Sequence, residues 1–147
     1  MNKILYVCKQ LINSELKEVF LTCYSKKDVD SKNKNFYDIT NALKENGNNI
    51  TSINFDSSFN KECDINGVDA VKKLSIDLES INSKEDTIKI YNLPNIEYNE
   101  QYFTSDNNIN NIILSVKYGS TSYKDLDSLK VFLKENGINV ISVLANK

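Results

Sequence analysis

Two hydrophobic periods alternate along the chain. Val19 to Tyr24 (Val-Phe-Leu-Thr-Cys-Tyr) is a short unbroken run of apolar and β-branched residues, the pattern of a strand buried on both faces. The polar stretch Ser25 to Lys34 then reads as a loop. Phe36, Ile39 and Leu43 share one face of a helix that stops at Asn46-Gly47, where glycine supplies the left-handed cap. Ile50 to Phe55 reads as a second strand. Val68, Val71, Leu74, Leu78 and Ile81 step by three and four, the stripe of an amphipathic helix. Thr87 to Tyr91 is a third strand, closed by Asn92-Leu93-Pro94. The irregular stretch Asn95 to Asn111 holds a short helix around Glu97 to Phe103. Ile112 to Lys117 is a fourth strand. Leu126, Leu129, Phe132 and Leu133 mark a last helix ending at Asn136-Gly137, and Ile138 to Leu144 is a fifth strand.

Leu-Lys-Glu-Asn-Gly occurs at both 43–47 and 133–137, each time before a strand. The flanking residues do not recur at a fixed period, so this is one helix-stop chemistry used twice and not a repeat protein. Strands separated by helices require crossover connections. The fold class is therefore α/β, a mainly parallel sheet of about five strands with helices on both faces. The 147 residues make one domain over 19–147, preceded by a connecting segment, 1–18, of helical character. The apolar cluster in that segment (Ile4, Leu5, Tyr6, Val7, Leu11, Ile12) is interrupted by Lys9, Gln10 and Glu15, and no small-residue cleavage site follows. It is not a signal peptide, and no stretch approaches the roughly 20 apolar residues of a membrane span. The expected location is the cytoplasm.

Composition narrows the chemistry. The chain has no His, no Arg and no Trp, and all 18 basic residues are Lys. An imidazole base, His-ligated zinc and a guanidinium clamp on phosphate are excluded. A net charge of -2 argues against a nucleic-acid surface. Cys8, Cys23 and Cys63 are odd in number and lack CxxC spacing, as expected of reduced, buried thiols.

In a parallel sheet, ligands sit beyond the carboxyl ends of the strands, which directs attention to residues 25–34, 54–60, 92–100 and 117–121. A phosphate-binding loop would follow the first strand, yet no residue from 25 to 34 is Gly, and Asp28 and Asp30 would repel a triphosphate. Asp28-x-Asp30 is not a calcium loop, because Lys32 and Lys34 occupy the next alternate positions. Asp56, at a strand end, caps a turn or holds a metal or a water. Glu97 and Glu100 read as a solvated helix start. Tyr118-Gly119-Ser120-Thr121 supplies a Gly turn and a Ser/Thr helix cap. No catalytic constellation emerges.

The order of landmarks nevertheless resembles the P-loop ATPase domain of bacterial tyrosine kinases and of related proteins of capsular and exopolysaccharide assembly. Phe20-Leu21-Thr22-Cys23 is similar to that family's first strand, and the helix through Ile39 and Leu43 to Gly47 to its next landmark. Ile53-Asn54-Phe55-Asp56 stands at the Asp-x-Asp strand end and Ile90-Tyr91-Asn92-Leu93-Pro94 at the Walker B strand. Ile112 to Ser120, the helix to Gly137 and Val140 to Asn146 look closest of all. The resemblance covers about residues 19–147 and implies a P-loop NTPase-like three-layer sandwich.

Counted back from Gly47, Ser31-Lys32-Asn33-Lys34 falls where the family has Gly-Lys-Ser-Thr. By resemblance Lys32 keeps the Walker lysine position, while the glycine and the Mg²⁺-binding hydroxyl are lost. Asn54 and Asn92 replace the first Walker A′ aspartate and the Walker B aspartate, and Asp56 alone remains. An amide cannot supply the charge that holds Mg²⁺ beside phosphates. The chain ends at Lys147 without the family's tyrosine-rich tail, and Tyr118 and Tyr123 read as surface or packing residues. The implied function is a non-catalytic, ATPase-like module in polysaccharide synthesis or export. It has no cofactor and works through a protein partner, such as a membrane chain-length regulator that would bring it to the inner face of the membrane. Nucleic acid is not a partner, and a homo-oligomer is left open. Two alternatives stand beside it. One is a residual nucleotide-binding enzyme or sensor using Lys32 and Asp56, with ATP and Mg²⁺ as cofactors. The other is an unrelated flavodoxin-like or receiver-like module.

Overall fold

A computed structural model describes residues 3–13, 17–56, 88–104 and 109–146. Its centre is β1 (Glu18–Cys23), buried at every position after Glu18, as a run apolar on both faces requires. Around it lie β2 (Ile50–Asn54), β3 (Ile88–Asn92), β4 (Asn111–Lys117) and β5 (Asn139–Asn146), every pairing parallel, in the order β2-β3-β1-β4-β5. This is not the 2-1-3-4-5 order of flavodoxin-like and receiver-like sheets, so that alternative is set aside.

One face of the sheet carries α1 (Lys3–Asn13) and α2 (Val29–Glu45). Phe36, Ile39 and Leu43 of α2 pack with Val19 and Leu21 of β1 and with Val7, Cys8 and Leu11 of α1. Lys3 Nζ also reaches β5, donating to the Ala145 carbonyl at 2.7 Å. The opposite face carries α3 (Tyr123–Glu135) and a 3-10 turn, Glu100–Phe103. Its core holds Phe20 stacked on Tyr91 (centroids 4.6 Å apart), flanked by Phe55, with Leu129 and Leu133 of α3. Alternate residues of β1 thus serve opposite layers, the strict period-two division of a buried strand.

The helix stops act as the sequence anticipates. Gly47 and Gly137 have φ +81° and +67°, left-handed geometry that a side chain resists. Three expectations are corrected. Residues 29–34 are not loop: a 3-10 turn at Lys26–Asp28 runs straight into α2, so Lys32, Asn33 and Lys34 are helical. The cap of α3 is Ser122, whose Oγ accepts from the Asp125 N–H at 3.2 Å, not Ser120 or Thr121. The short helix near Glu97 is confined to the 3-10 turn at 100–103. The helix expected over Val68–Ile81, and Cys63, lie outside the described residues. Among the described residues, no helix is long and apolar enough to cross a membrane.

Candidate functional site

Parallel pairing aligns the carboxyl ends of β1, β2, β3 and β4 along one edge of the sheet. Asn54 is in register with Asn92, and Cys23 with Ser115. The first turns of α2 lie over this edge, which places side chains from four strands and one helix in a single crevice.

Lys32 dominates it. As the fourth residue of α2 it points down into the crevice, and no part of it reaches solvent. Its ammonium forms an ion pair with Asp56, itself buried, and donates to the Leu93 carbonyl at 2.6 Å. Burial lowers the Lys32 pKa from its ordinary 10.5, and the Asp56 charge opposes that shift. Asp56 is held by its neighbour: its backbone N–H donates to Asn54 Oδ1 and its carbonyl accepts from Asn54 Nδ2, both at 3.0 Å. The Asp56 turn and the Asp56 charge are therefore one arrangement, an Asx turn that aims the carboxylate at Lys32.

Beside the ion pair is a neutral network. Asn92 Nδ2 donates to Asn54 Oδ1 at 3.0 Å and to Asn33 Oδ1 at 3.2 Å. Further along the edge, Asn35 Nδ2 donates to Ser115 Oγ and to Asn146 Oδ1, each at 3.0 Å. All four residues singled out by resemblance (Lys32, Asp56, Asn54 and Asn92) thus converge in one place.

Asp28 was unforeseen in this role. It stands fully buried at the N-cap position of α2, where the helix dipole favours negative charge. Its Oδ1 accepts the Lys117 N–H at 2.8 Å and the Ser120 hydroxyl, so it ties the loop after β1 to the turn after β4. Asp28 Oδ2 and Asn92 Oδ1 are buried without a hydrogen-bond partner among the described residues. On the far side, the chain after β3 continues alongside β1. Leu93 N–H donates to the Leu21 carbonyl, Ile96 N–H to the Cys23 carbonyl, and Thr22 Oγ1 to the Pro94 carbonyl at 2.8 Å.

The chemistry open to this crevice is narrow. Burial pushes the Cys23 thiol up to about 12; Asp28 and Asp56 add to the shift while Lys32 opposes it, so no thiolate nucleophile exists near neutral pH. Among the described residues, no three His, Cys, Asp or Glu side chains are gathered in a way that could hold a metal ion.

No family model and no curated protein matches the chain. Among solved structures it is similar to one described as "BceF Tyrosine Kinase Domain", with a TM-score of 0.72 and 12% identity over 97% of this chain and 74% of that one. At that identity the likeness is one of fold alone: an α/β domain built on a five-stranded parallel sheet.

Proposed function

We propose that the chain is a non-catalytic, ATPase-like module that acts by engaging protein partners in capsular or exopolysaccharide assembly. The observation that carries this reading is the internal neutralisation of the crevice. A triphosphate at the tip of β1 would be held by a free lysine, by the N-terminus of α2 and by Mg²⁺ on carboxylates. Here Lys32 is fully buried against Asp56 and the Leu93 carbonyl, and Asp28, the residue before α2, is buried with its carboxylate bonded to the Lys117 N–H and the Ser120 hydroxyl. Two carboxylates of the chain stand where phosphates would be required, and amides occupy Asn54 and Asn92. The residues present do not fit Mg-ATP. The scaffold persists while its chemistry is lost, and what remains to act is surface.

In this reading Lys32, Asp56, Asn54 and Asn92 are a vestigial nucleotide site turned to structural use. The partner would be a protein of polysaccharide assembly, a membrane chain-length regulator being the leading class, and the module would work in the cytoplasm at the membrane face. One solved structure with this fold is described as a tyrosine kinase domain.

Calorimetry with Mg-ATP should show no binding heat, and phosphate release should stay at background in both the wild type and Lys32→Ala. Micromolar binding, or release abolished by Lys32→Ala, would refute the proposal. The convergence of Lys32 and Asp56 favours one second reading, a residual nucleotide sensor. It requires ATP to displace Asp56 from Lys32, and the same titration decides between the two.

A further inference from the structure

We propose that the two Asn-Gly helix stops, Asn46-Gly47 and Asn136-Gly137, are sites of spontaneous deamidation held shut by the folded helix caps, and that Asn46 is the one that reacts first. The inference concerns the caps alone and stands apart from the reading of the Lys32 crevice.

Residue type supplies the chemistry. Three of the chain's four glycines follow an asparagine. In such a pair the glycine nitrogen attacks the asparagine Cγ, and no side chain on the glycine hinders ring closure. An N–Cγ bond forms, the Cγ–Nδ2 bond breaks, and ammonia leaves with the proton of the glycine amide. Water then opens the cyclic imide at either carbonyl, giving aspartate or isoaspartate. Nothing is oxidised or reduced, and water is the only co-reactant.

The caps govern when this can happen. Each asparagine is a C-cap residue, with ψ of 10° at Asn46 and 8° at Asn136. At these angles the glycine nitrogen is turned back along the helix and away from Cγ. Gly47 N–H donates to the Lys44 carbonyl at 3.0 Å, and Gly137 N–H to the Lys134 carbonyl at 3.2 Å. The leaving group is tied as well: Asn46 Nδ2 donates to the Ala42 carbonyl and Asn136 Nδ2 to the Phe132 carbonyl, each at 2.9 Å. Ring closure therefore requires the last helical turn to open.

The caps share the sequence Leu-Lys-Glu-Asn-Gly but are braced differently. In both, the N–H two residues past the asparagine donates to the leucine carbonyl three residues before it, Asn48 to Leu43 at 3.1 Å and Ile138 to Leu133 at 2.9 Å. The apolar contact that accompanies this motif is present only at the second, where Ile138 and Leu133 are buried in one core cluster. Position 48 is polar. Opening the second cap must carry Ile138 into water, a factor of at least about ten in the opening equilibrium for a side chain of that size. Asn46 is exposed, whereas Asn136 is half-buried. Conversion at position 46 is one-way. A carboxylate replaces the donor that faces the Ala42 carbonyl, and its charge falls at the C-terminal end of α2, where the helix dipole disfavours it. Each converted molecule keeps a loosened cap.

The test is peptide mapping by mass spectrometry of the full chain aged in warm neutral buffer, folded and in urea. Mapping reads each site as its own peptide, so Asn66-Gly67, outside the described residues, does not enter the comparison. In urea both caps are open, and Asn46 and Asn136 should convert at nearly equal rates. In the folded chain both should be slower, with Asn46 at least about tenfold faster than Asn136. Asn48→Ile supplies the missing apolar contact on a surface position and should slow Asn46 severalfold. Ile138→Asn should bring Asn136 toward the rate of Asn46; if that variant does not fold, Asn48→Ile still tests the bracing. Equal rates at the two sites in the folded chain overturn the proposal. So does a folded rate at Asn46 equal to its rate in urea, an Asn46 that never converts in the folded chain, or an Asn46 rate that Asn48→Ile leaves unchanged. No nucleotide enters the readout, so its outcome is separate from that of the proposed function.

Discussion

Asp56→Asn isolates the buried ion pair. The substitution preserves shape and one acceptor oxygen but removes the carboxylate paired with Lys32, whose ammonium has no exposure to water. Removing one partner of a buried pair costs about 3–5 kcal/mol, because the remaining charge is left in a poorly polarisable surrounding. The Leu93 carbonyl still accepts from Lys32, which places the expected loss near the lower end, about 3 kcal/mol. For a domain of this size each kcal/mol moves Tm by about 2–4 °C, so melting should fall by about 6–12 °C. Urea titrations should show a lowered midpoint at an unchanged slope.

The pH dependence carries the sign of the effect. Burial already holds the Lys32 pKa below 10.5, and Asp56 works against that shift. Without Asp56 the native pKa falls further. Between the native pKa and 10.5 the unfolded chain binds a proton that the folded chain does not, so stability rises with pH across that window. The rise should begin at a lower pH and be larger in total in Asp56→Asn than in the wild type. The double replacement Lys32→Met/Asp56→Leu should recover most of the loss, to within about 1 kcal/mol, since an apolar pair needs no compensation. If Asp56→Asn costs less than about 0.5 kcal/mol, as an exposed pair would, then Lys32 reaches solvent and the filled-crevice account of function fails with it.

Three further outcomes follow from the same geometry. Asp28→Ala strips the Lys117 N–H and the Ser120 hydroxyl of their acceptor and should cost about 1–3 kcal/mol, measured by urea denaturation. In a Cys63→Ser background, neither Cys8 nor Cys23 should react with a thiol reagent at pH 8 until denaturant is added, because both are buried and their thiol pKa values are raised. Gly137→Ala should lose about 1 kcal/mol through the left-handed backbone alone, since nothing lies within 4 Å of the added methyl group; an unchanged melting temperature would contradict the cap.

The sheet was legible in the sequence wherever burial imposed a simple rule. Val19 to Cys23 is apolar on both faces because β1 is central, and the two Asn-Gly stops mark where α2 and α3 turn left-handed. The site was legible in its membership but not in its packing. The stretch 25–34 is Lys, Asp, Ser and Asn apart from Val29 and carries no apolar period, so it reads as loop although six of its ten residues are in α2. One signal was available: Lys32 stands four residues before Phe36, and Phe36, Ile39 and Leu43 continue the same stripe, so the helix's buried face begins with a lysine. A buried cation demands a buried anion, yet Asp56 lies 24 residues away with β2 between, and sequence spacing does not reveal that partner. Asp28 escaped for a related reason. Its ligands are a backbone N–H and a serine about 90 residues on, and only the closing of β4 against β1 brings them within reach.

The central position of β1 also governs how the molecule comes into being. Residues 18–23 leave the ribosome well before the strands that flank them, residues 88–92 and 111–117. At synthesis rates of about 5–20 residues per second, the first of those neighbours arrives several seconds later. Until then, of the described elements that pack on β1, only α1 and α2 are available to shelter a five-residue stretch destined for complete burial. A nascent chain stalled before residue 88 should therefore be sticky and chaperone-bound. Release past residue 117 should end that dependence abruptly.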